Sequence, residues 1–160
     1  MTIAVGDRVP DVEVRTMGSD GPQPLRTGEA LGKGKVVLFA VPGAFTPGCS
    51  LIHLPGYVEH FDELKAKGVD TVACVAVNDP WVMQAWADAH GVEERILMVA
   101  DGNGDFTRAM GLETDLSVAG LGSRSKRYAA VIEDGTVRSL EVEPGGGIDV
   151  SSCQSMLAKL

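Results

Sequence analysis

Basic residues are few in this chain. Lys and Arg number 14 against 22 Asp and Glu in 160 residues, giving a formal net charge of -8 and a pI near 4.8. Sequence-independent nucleic-acid binding depends on clustered cations that neutralise phosphates, so this balance argues against it. Cysteine is also scarce. Cys49, Cys74 and Cys153 contain no C-x-x-C pairing, and their spacing fits neither a disulfide framework nor a zinc site. In a reducing compartment such cysteines are either inert core residues or catalytic ones. No stretch approaches the ~18 consecutive apolar residues of a membrane span, so no membrane partner is expected. The opening Met1–Arg8 has neither a charged-then-apolar signal pattern nor an Arg- and Ser-rich transit pattern, and the expected location is cytoplasmic.

Internal repeats, low-complexity tracts and flexible linkers are absent as well. Residues 1–160 therefore read as one domain, long enough to bury a substantial core without metals or disulfide staples. Hydrophobic residues make up 44% and charged residues 22%, ordinary for a globular domain. Strand-like runs fall at Val36–Ala40, Thr71–Val77, Ile96–Ala100, Tyr128–Glu133 and Val137–Val142, with helical patterns between most of them, which indicates an α/β domain. Asp134-Gly135 is a two-residue hairpin signal joining the last two runs, so a mixed sheet is expected. Pro80 is placed at the start of a helix running towards His90, capped by Asn78 or Asp79. Ser151-x-x-Gln154 reads as a capping box opening a terminal helix that buries Met156, Leu157 and Leu160.

The most informative segment is Val41–Ser50, VPGAFTPGCS. It carries the chain from an apolar strand through a Pro- and Gly-rich turn to a cysteine at the start of a helix. That helix is expected over Ser50–Lys67, where Leu54, Val58, Phe61 and Leu64 recur at helical spacing, with a kink or one loosened turn at Pro55-Gly56. Unpaired N–H groups and the positive end of the macrodipole at a helix N-terminus favour thiolate over thiol, so Cys49 is a candidate nucleophile, flanked by Gly48. Thr46 lies on the turn, where its hydroxyl can serve the sulfur or cap the helix. Pro42, lacking an N–H, can shield a thiolate from water or simply end the strand. His53 is four residues beyond Cys49 on the same helical face. It reads as a histidine bonded to backbone or water near the site, or as the general base of a Cys-His hydrolase.

The spacing Pro42-x-x-x-Thr46-x-x-Cys49 resembles that of the peroxiredoxins. The likeness continues through His53–Gly56, Leu64–Val69, Val77–Pro80, Ala100–Gly102, Gly120–Tyr128 and Val142–Pro144, in the order found in the type II, or fifth-class, branch of that family. It covers almost the whole chain. It implies a thioredoxin fold with peroxiredoxin insertions, a mixed central sheet flanked by helices, and a homodimer. The implied activity is a thiol peroxidase that turns Cys49 into a sulfenic acid with hydrogen peroxide or organic hydroperoxides, without metal, haem or flavin. Glutaredoxin with glutathione, or thioredoxin, would recycle it. The resemblance assigns Cys49, Thr46, Pro42 and Arg127 to catalysis, whereas charge patterning alone does not choose among Arg124, Lys126 and Arg127. Plant-like members carry a second, resolving cysteine at the position of Cys74, which composition reads as a buried strand residue. Cys153 departs from the family's C-terminal resolving position and reads as a helix-start residue, with a resolving role as its alternative. A peroxide sensor or redox-regulated chaperone using Cys49 is the alternative of a different class, followed by a cysteine hydrolase.

Overall fold

The runs Lys35–Ala40, Thr71–Ala76, Leu97–Ala100 and Tyr128–Glu133 form the centre of a seven-stranded sheet in the computed structural model, which describes residues 1–160. Numbered along the chain, the strands are β1 (Glu13–Gly18), β2 (Gly21–Arg26), β3 (Lys35–Ala40), β4 (Thr71–Ala76), β5 (Leu97–Ala100), β6 (Glu113–Asp115), β7 (Ser123–Ser125), β8 (Tyr128–Glu133) and β9 (Thr136–Val142). The α-helices are α1 (Thr27–Ala30), α2 (Leu54–Glu59), α3 (Phe61–Ala66), α4 (Pro80–Ala89), α5 (Asp105–Met110) and α6 (Cys153–Leu157), and a π-helical turn spans Cys49–His53. The sheet order is β2-β1-β5-β4-β3-β8-β9, with β6 and β7 as a separate ribbon. Pairs β3–β4 and β4–β5 are parallel and the others antiparallel, so the expected mixed sheet of a thioredoxin fold is present.

The central strands are continuous apolar runs because both of their faces are covered. From β3, Val37 and Phe39 enter one core with Cys74 of β4 and Val131 of β8, while Val36 and Leu38 enter the opposite core with Val75 and Ile132. The first core carries α2, α3, α4 and α6 and contains all three cysteines. The turn between β8 and β9 has Asp134 at φ 48° and Gly135 at φ 84°, the left-handed pair of a tight hairpin.

Three expectations need correction. The sequence reading placed no strand before Val36, yet β1 and β2 form a hairpin with Gly18 opposite Gly21. Pro22 and Pro24 argue against a central strand, and β2 escapes the objection because it is an edge. The single helix over Ser50–Lys67 is instead the π-helical turn, α2 and α3, with a break at His60, while the loosening expected at Pro55-Gly56 is present as the π-helical turn just before it. Pro55 has no N–H and its ring would meet the carbonyl of Leu51 in a regular α-helix, so the widened turn before it relieves that clash. The cap of α6 is Ser152, whose hydroxyl accepts from Ser155 N–H, and not Ser151. Asp79, by contrast, caps α4 by accepting from Val82 N–H, as its position before Pro80 suggests.

Register brings the site together. Ala40 at the end of β3 lies opposite Tyr128 at the start of β8, so the segment leaving β3 meets the one entering β8. Cys49 and Arg127, 78 residues apart, therefore converge at one end of the sheet.

Candidate active site

Cys49 is fully buried in the first turn after a tightly held loop. Helical structure begins at Pro47, and the first turn-to-turn bond runs from Ser50 N–H to the Thr46 carbonyl at 2.9 Å. Two other elements and one bond within the loop hold it ahead of Cys49. Asn78, just past β4, accepts from Ala44 N–H at 2.9 Å; Arg124 donates to the Pro42 carbonyl at 3.3 Å; Thr46 Oγ1 donates to the Gly43 carbonyl at 2.6 Å. Phe45 sits in the left-handed region at φ 66°, a conformation that these bonds hold against its steric cost.

Arg127 reaches the sulfur. Its Nη2 donates to Cys49 Sγ at 3.2 Å, while Nη1 is 2.8 Å from His53 Nδ1. A Cβ on Gly48 would stand 3.3 Å from that Nη2, a contact to which the guanidinium would have to yield by a few tenths of an ångström. The glycine beside the cysteine thus serves close approach. None of the chain's ion pairs involves Arg127, so its permanent charge is directed at the sulfur. Arg124 holds the Pro42 and Leu121 carbonyls instead, and the Lys126 side chain is exposed.

His53 is a neutral link, because guanidinium can only donate. Nδ1 must then accept, leaving Nε2–H to donate to the Ser151 carbonyl at 2.9 Å. Tyr57 Oη donates to the same carbonyl at 2.8 Å, and Glu143 holds that residue in place by accepting from the Ser151 N–H and hydroxyl. Burial opposes a charged Glu143, but the bonds from Ser151 and from Asp149 N–H outweigh it and keep its carboxyl below the usual range. Burial, reinforced by the charge on Arg127, pushes His53 down to about 4 despite the opposing bond to Ser151. Both ring nitrogens are engaged away from the sulfur, so the geometry supplies no general base for the Cys-His hydrolase reading.

The depressed His53 pKa has a measurable consequence. The unfolded chain takes up this proton near pH 6.5 and the folded chain only near 4, so the contribution to stability is complete above about 6.5 and is lost as pH falls towards 4. A shift of that size corresponds to roughly 3 kcal/mol. Urea unfolding is expected to show this loss between pH 7 and 4.5, and His53→Asn to flatten that part of the profile. An identical pH slope in both proteins would contradict it.

Thr46 does not hold the sulfur as one reading of the sequence expected. Its proton is committed to Gly43, which leaves its oxygen lone pairs facing other donors. Nor does its hydroxyl cap the helix. Pro42 lies at the mouth, its carbonyl tied to Arg124. Cys74 lies on β4 opposite Phe39, fully buried, and burial pushes its thiol well above the usual range. Cys153 is the first residue of α6, where burial, with the charge of Glu63 added, pushes its thiol up to about 12. All three cysteines are free thiols in the same apolar core.

Sequence reasoning singled out Cys49 and its neighbours but missed Glu143 and Ser151 as supports. The Val142–Pro144 segment was noticed only as part of the resemblance, and nothing in its local pattern shows that its carboxylate turns inward to a residue eight positions later.

A family model described as Redoxin matches residues 4–157. Peroxiredoxin-2E-2, chloroplastic, of Oryza sativa subsp. japonica is 50% identical over 164 residues, covering 99% of this chain and 73% of that protein. Peroxiredoxin-2B of Arabidopsis thaliana is 45% identical over 159 residues, covering 99% and 98%. The structure of reduced Prx3 in complex with hydrogen peroxide, from Vibrio vulnificus, superposes with a TM-score of 0.94 at 47% identity, covering 99% of both chains. Full-length identity of this size, on the same fold, leaves one assignment: the chain belongs to the peroxiredoxins, in their type II branch.

Proposed function

We propose that this chain reduces hydrogen peroxide and small organic hydroperoxides at Cys49. The observation that carries the proposal is the Arg127 guanidinium donating to a buried Cys49 sulfur, with no competing base on that sulfur. The thiolate attacks one peroxide oxygen and the O–O bond breaks. Cys49 becomes a sulfenic acid, and the second oxygen leaves as water or alcohol after taking a proton. Arg127 stabilises charge at the reacting sulfur and at the departing oxygen. Thr46 offers its free lone pairs to the peroxide hydrogen, and Pro42 adds no competing donor.

Recycling is read as a one-cysteine scheme in which glutathione caps the sulfenic acid and glutaredoxin removes the cap. The buried, protonated thiols of Cys74 and Cys153 favour this reading, because the thiolate is the attacking form in disulfide chemistry. The π-helical turn and the break at His60 favour local opening, which a larger partner needs to reach a covered sulfur. Peroxide turnover is to be assayed separately with glutaredoxin and glutathione and with thioredoxin. Cys74→Ala and Cys153→Ala are each expected to keep at least about half of the glutaredoxin-supported rate. Rapid formation of a Cys49–Cys74 or Cys49–Cys153 disulfide after one equivalent of peroxide, with turnover lost when that partner is replaced, would make thioredoxin the better candidate.

A homodimer is also proposed. Phe45 on the loop before Cys49, Trp81 in the first turn of α4 and Val118 in the turn between β6 and β7 are exposed apolar residues, and Asn78 and Arg124 tie the segments before α4 and after that turn to the cysteine loop. Sedimentation is expected to give twice the 16.8 kDa chain mass, and Trp81→Glu to weaken association. A monomer at micromolar concentration would exclude this interface.

A further inference from the structure

A groove of about 550 Å³ opens beside the sulfur, within the size range of small-molecule sites. Its lining includes Pro42 and Arg127, the residue that reaches Cys49, together with Leu116, Lys126, Gly145 and Gly146. Lys126 takes part in none of the chain's ion pairs. The N–H groups of Gly145 and Gly146 donate to no backbone carbonyl, and both residues are exposed. The one carboxylate on the wall, Glu143, takes its three hydrogen bonds, from the Asp149 N–H and from the N–H and hydroxyl of Ser151, all on Oε2. In a chain of net charge -8, Lys126 and Arg127 outnumber the single carboxylate on this wall, so the groove is locally cationic.

We infer that the groove binds the carboxylate end of a small co-substrate whose reactive end meets Cys49, with Lys126 and the Gly145–Gly146 N–H groups as the carboxylate site. Two molecules carry that chemistry: glutathione and a carboxylate-bearing hydroperoxide. The assignment rests on the reading of Cys49 as the peroxide-reactive sulfur. With glutathione anchored at Lys126, its thiol waits at the mouth while the Cys49 turn opens. The glutathione sulfur attacks the sulfenic sulfur, an S–S bond forms as the S–O bond breaks, and the hydroxyl departs as water with the thiol proton. Cys49 is reduced in this step and glutathione oxidised.

The test compares carboxylate and ester forms of each molecule. Pre-formed Cys49 sulfenic acid is mixed with glutathione or its diethyl ester, and reduced protein with a fatty-acid hydroperoxide or its methyl ester. The acid-to-ester ratio of rate constants is expected to fall about tenfold in Lys126→Glu, in the glutathione pair if glutathione is the occupant and in the hydroperoxide pair if the substrate is. A Gly146→Pro variant, which removes one N–H donor, is expected to lower the same ratio without changing charge. Equal rates for acid and ester in the unaltered protein, or ratios that Lys126→Glu leaves unmoved in both pairs, would overturn the groove assignment while leaving the peroxidase reading intact. Failure to form any Cys49 sulfenic acid with peroxide would instead overturn the peroxidase reading, and the groove's role with it.

Discussion

Cys49→Ser is expected to eliminate peroxide turnover, lowering kcat by roughly 10⁶-fold, the scale on which removing an enzyme's nucleophile acts. The substitution is nearly isosteric, and the serine oxygen can still accept from the Arg127 guanidinium that lies 3.2 Å from the sulfur. Packing should therefore survive, with near-native circular dichroism. What is lost is the nucleophilic sulfur: a serine hydroxyl stays protonated at neutral pH with only a neutral, fully engaged histidine nearby. Mass spectrometry after peroxide treatment is expected to show no added oxygen at position 49. Turnover by this variant at near the unaltered rate would move the nucleophile elsewhere, and Cys74 and Cys153 are the only other thiols.

The second largest effect is expected for Arg127→Ala, a loss of about 3 kcal/mol of transition-state stabilisation, or 10²- to 10³-fold in the rate constant with hydrogen peroxide. Two bonds disappear together. Cys49 loses its charged donor and His53 loses the group that its Nδ1 accepts from. Arg127→Lys is expected to recover only part of the rate, because a single ammonium does not reproduce the planar fork that serves sulfur and imidazole at once. Arg124→Ala separates the two arginines: it frees the Pro42 carbonyl without touching the sulfur, and a loss below about tenfold is expected. A larger loss for Arg124→Ala than for Arg127→Ala, measured by stopped-flow with peroxide, would reverse the roles.

Much of the fold was legible because local physics and global position agree. The apolar runs of β3, β4 and β8 read as buried strands because both faces of each are in fact covered. Asp134-Gly135 read as a hairpin because its two residues must tolerate positive φ, and both adopt it. Pro80 read as a helix start because its missing N–H is harmless there, and Asp79 supplies the cap. Where local chemistry fits two places, the sequence was silent or misleading. Pro22 and Pro24 suppress any strand reading, and only the position of β2 at the sheet edge makes them tolerable. Adjacent serines can both begin a capping pattern; Ser152 takes the cap because Ser151 is bound to Glu143.

The same division runs through the site. The sequence by itself singled out Cys49 as the candidate nucleophile, since strand, Pro- and Gly-rich turn and helix start are consecutive residues whose mutual placement is set by short-range backbone preferences. It also determined that a proline and a glycine would stand beside that sulfur. Only the tertiary structure decided which of three neighbouring cations reaches Cys49, because that choice depends on the register of Ala40 against Tyr128 and on the space left by Gly48. It alone made His53 a neutral acceptor and not a base, since burial and the approach of Arg127 set the ring's protonation. Contacts between residues 74 and 98 positions apart, such as Arg127–His53 and His53–Ser151, arise from sheet register and packing, which no local pattern encodes.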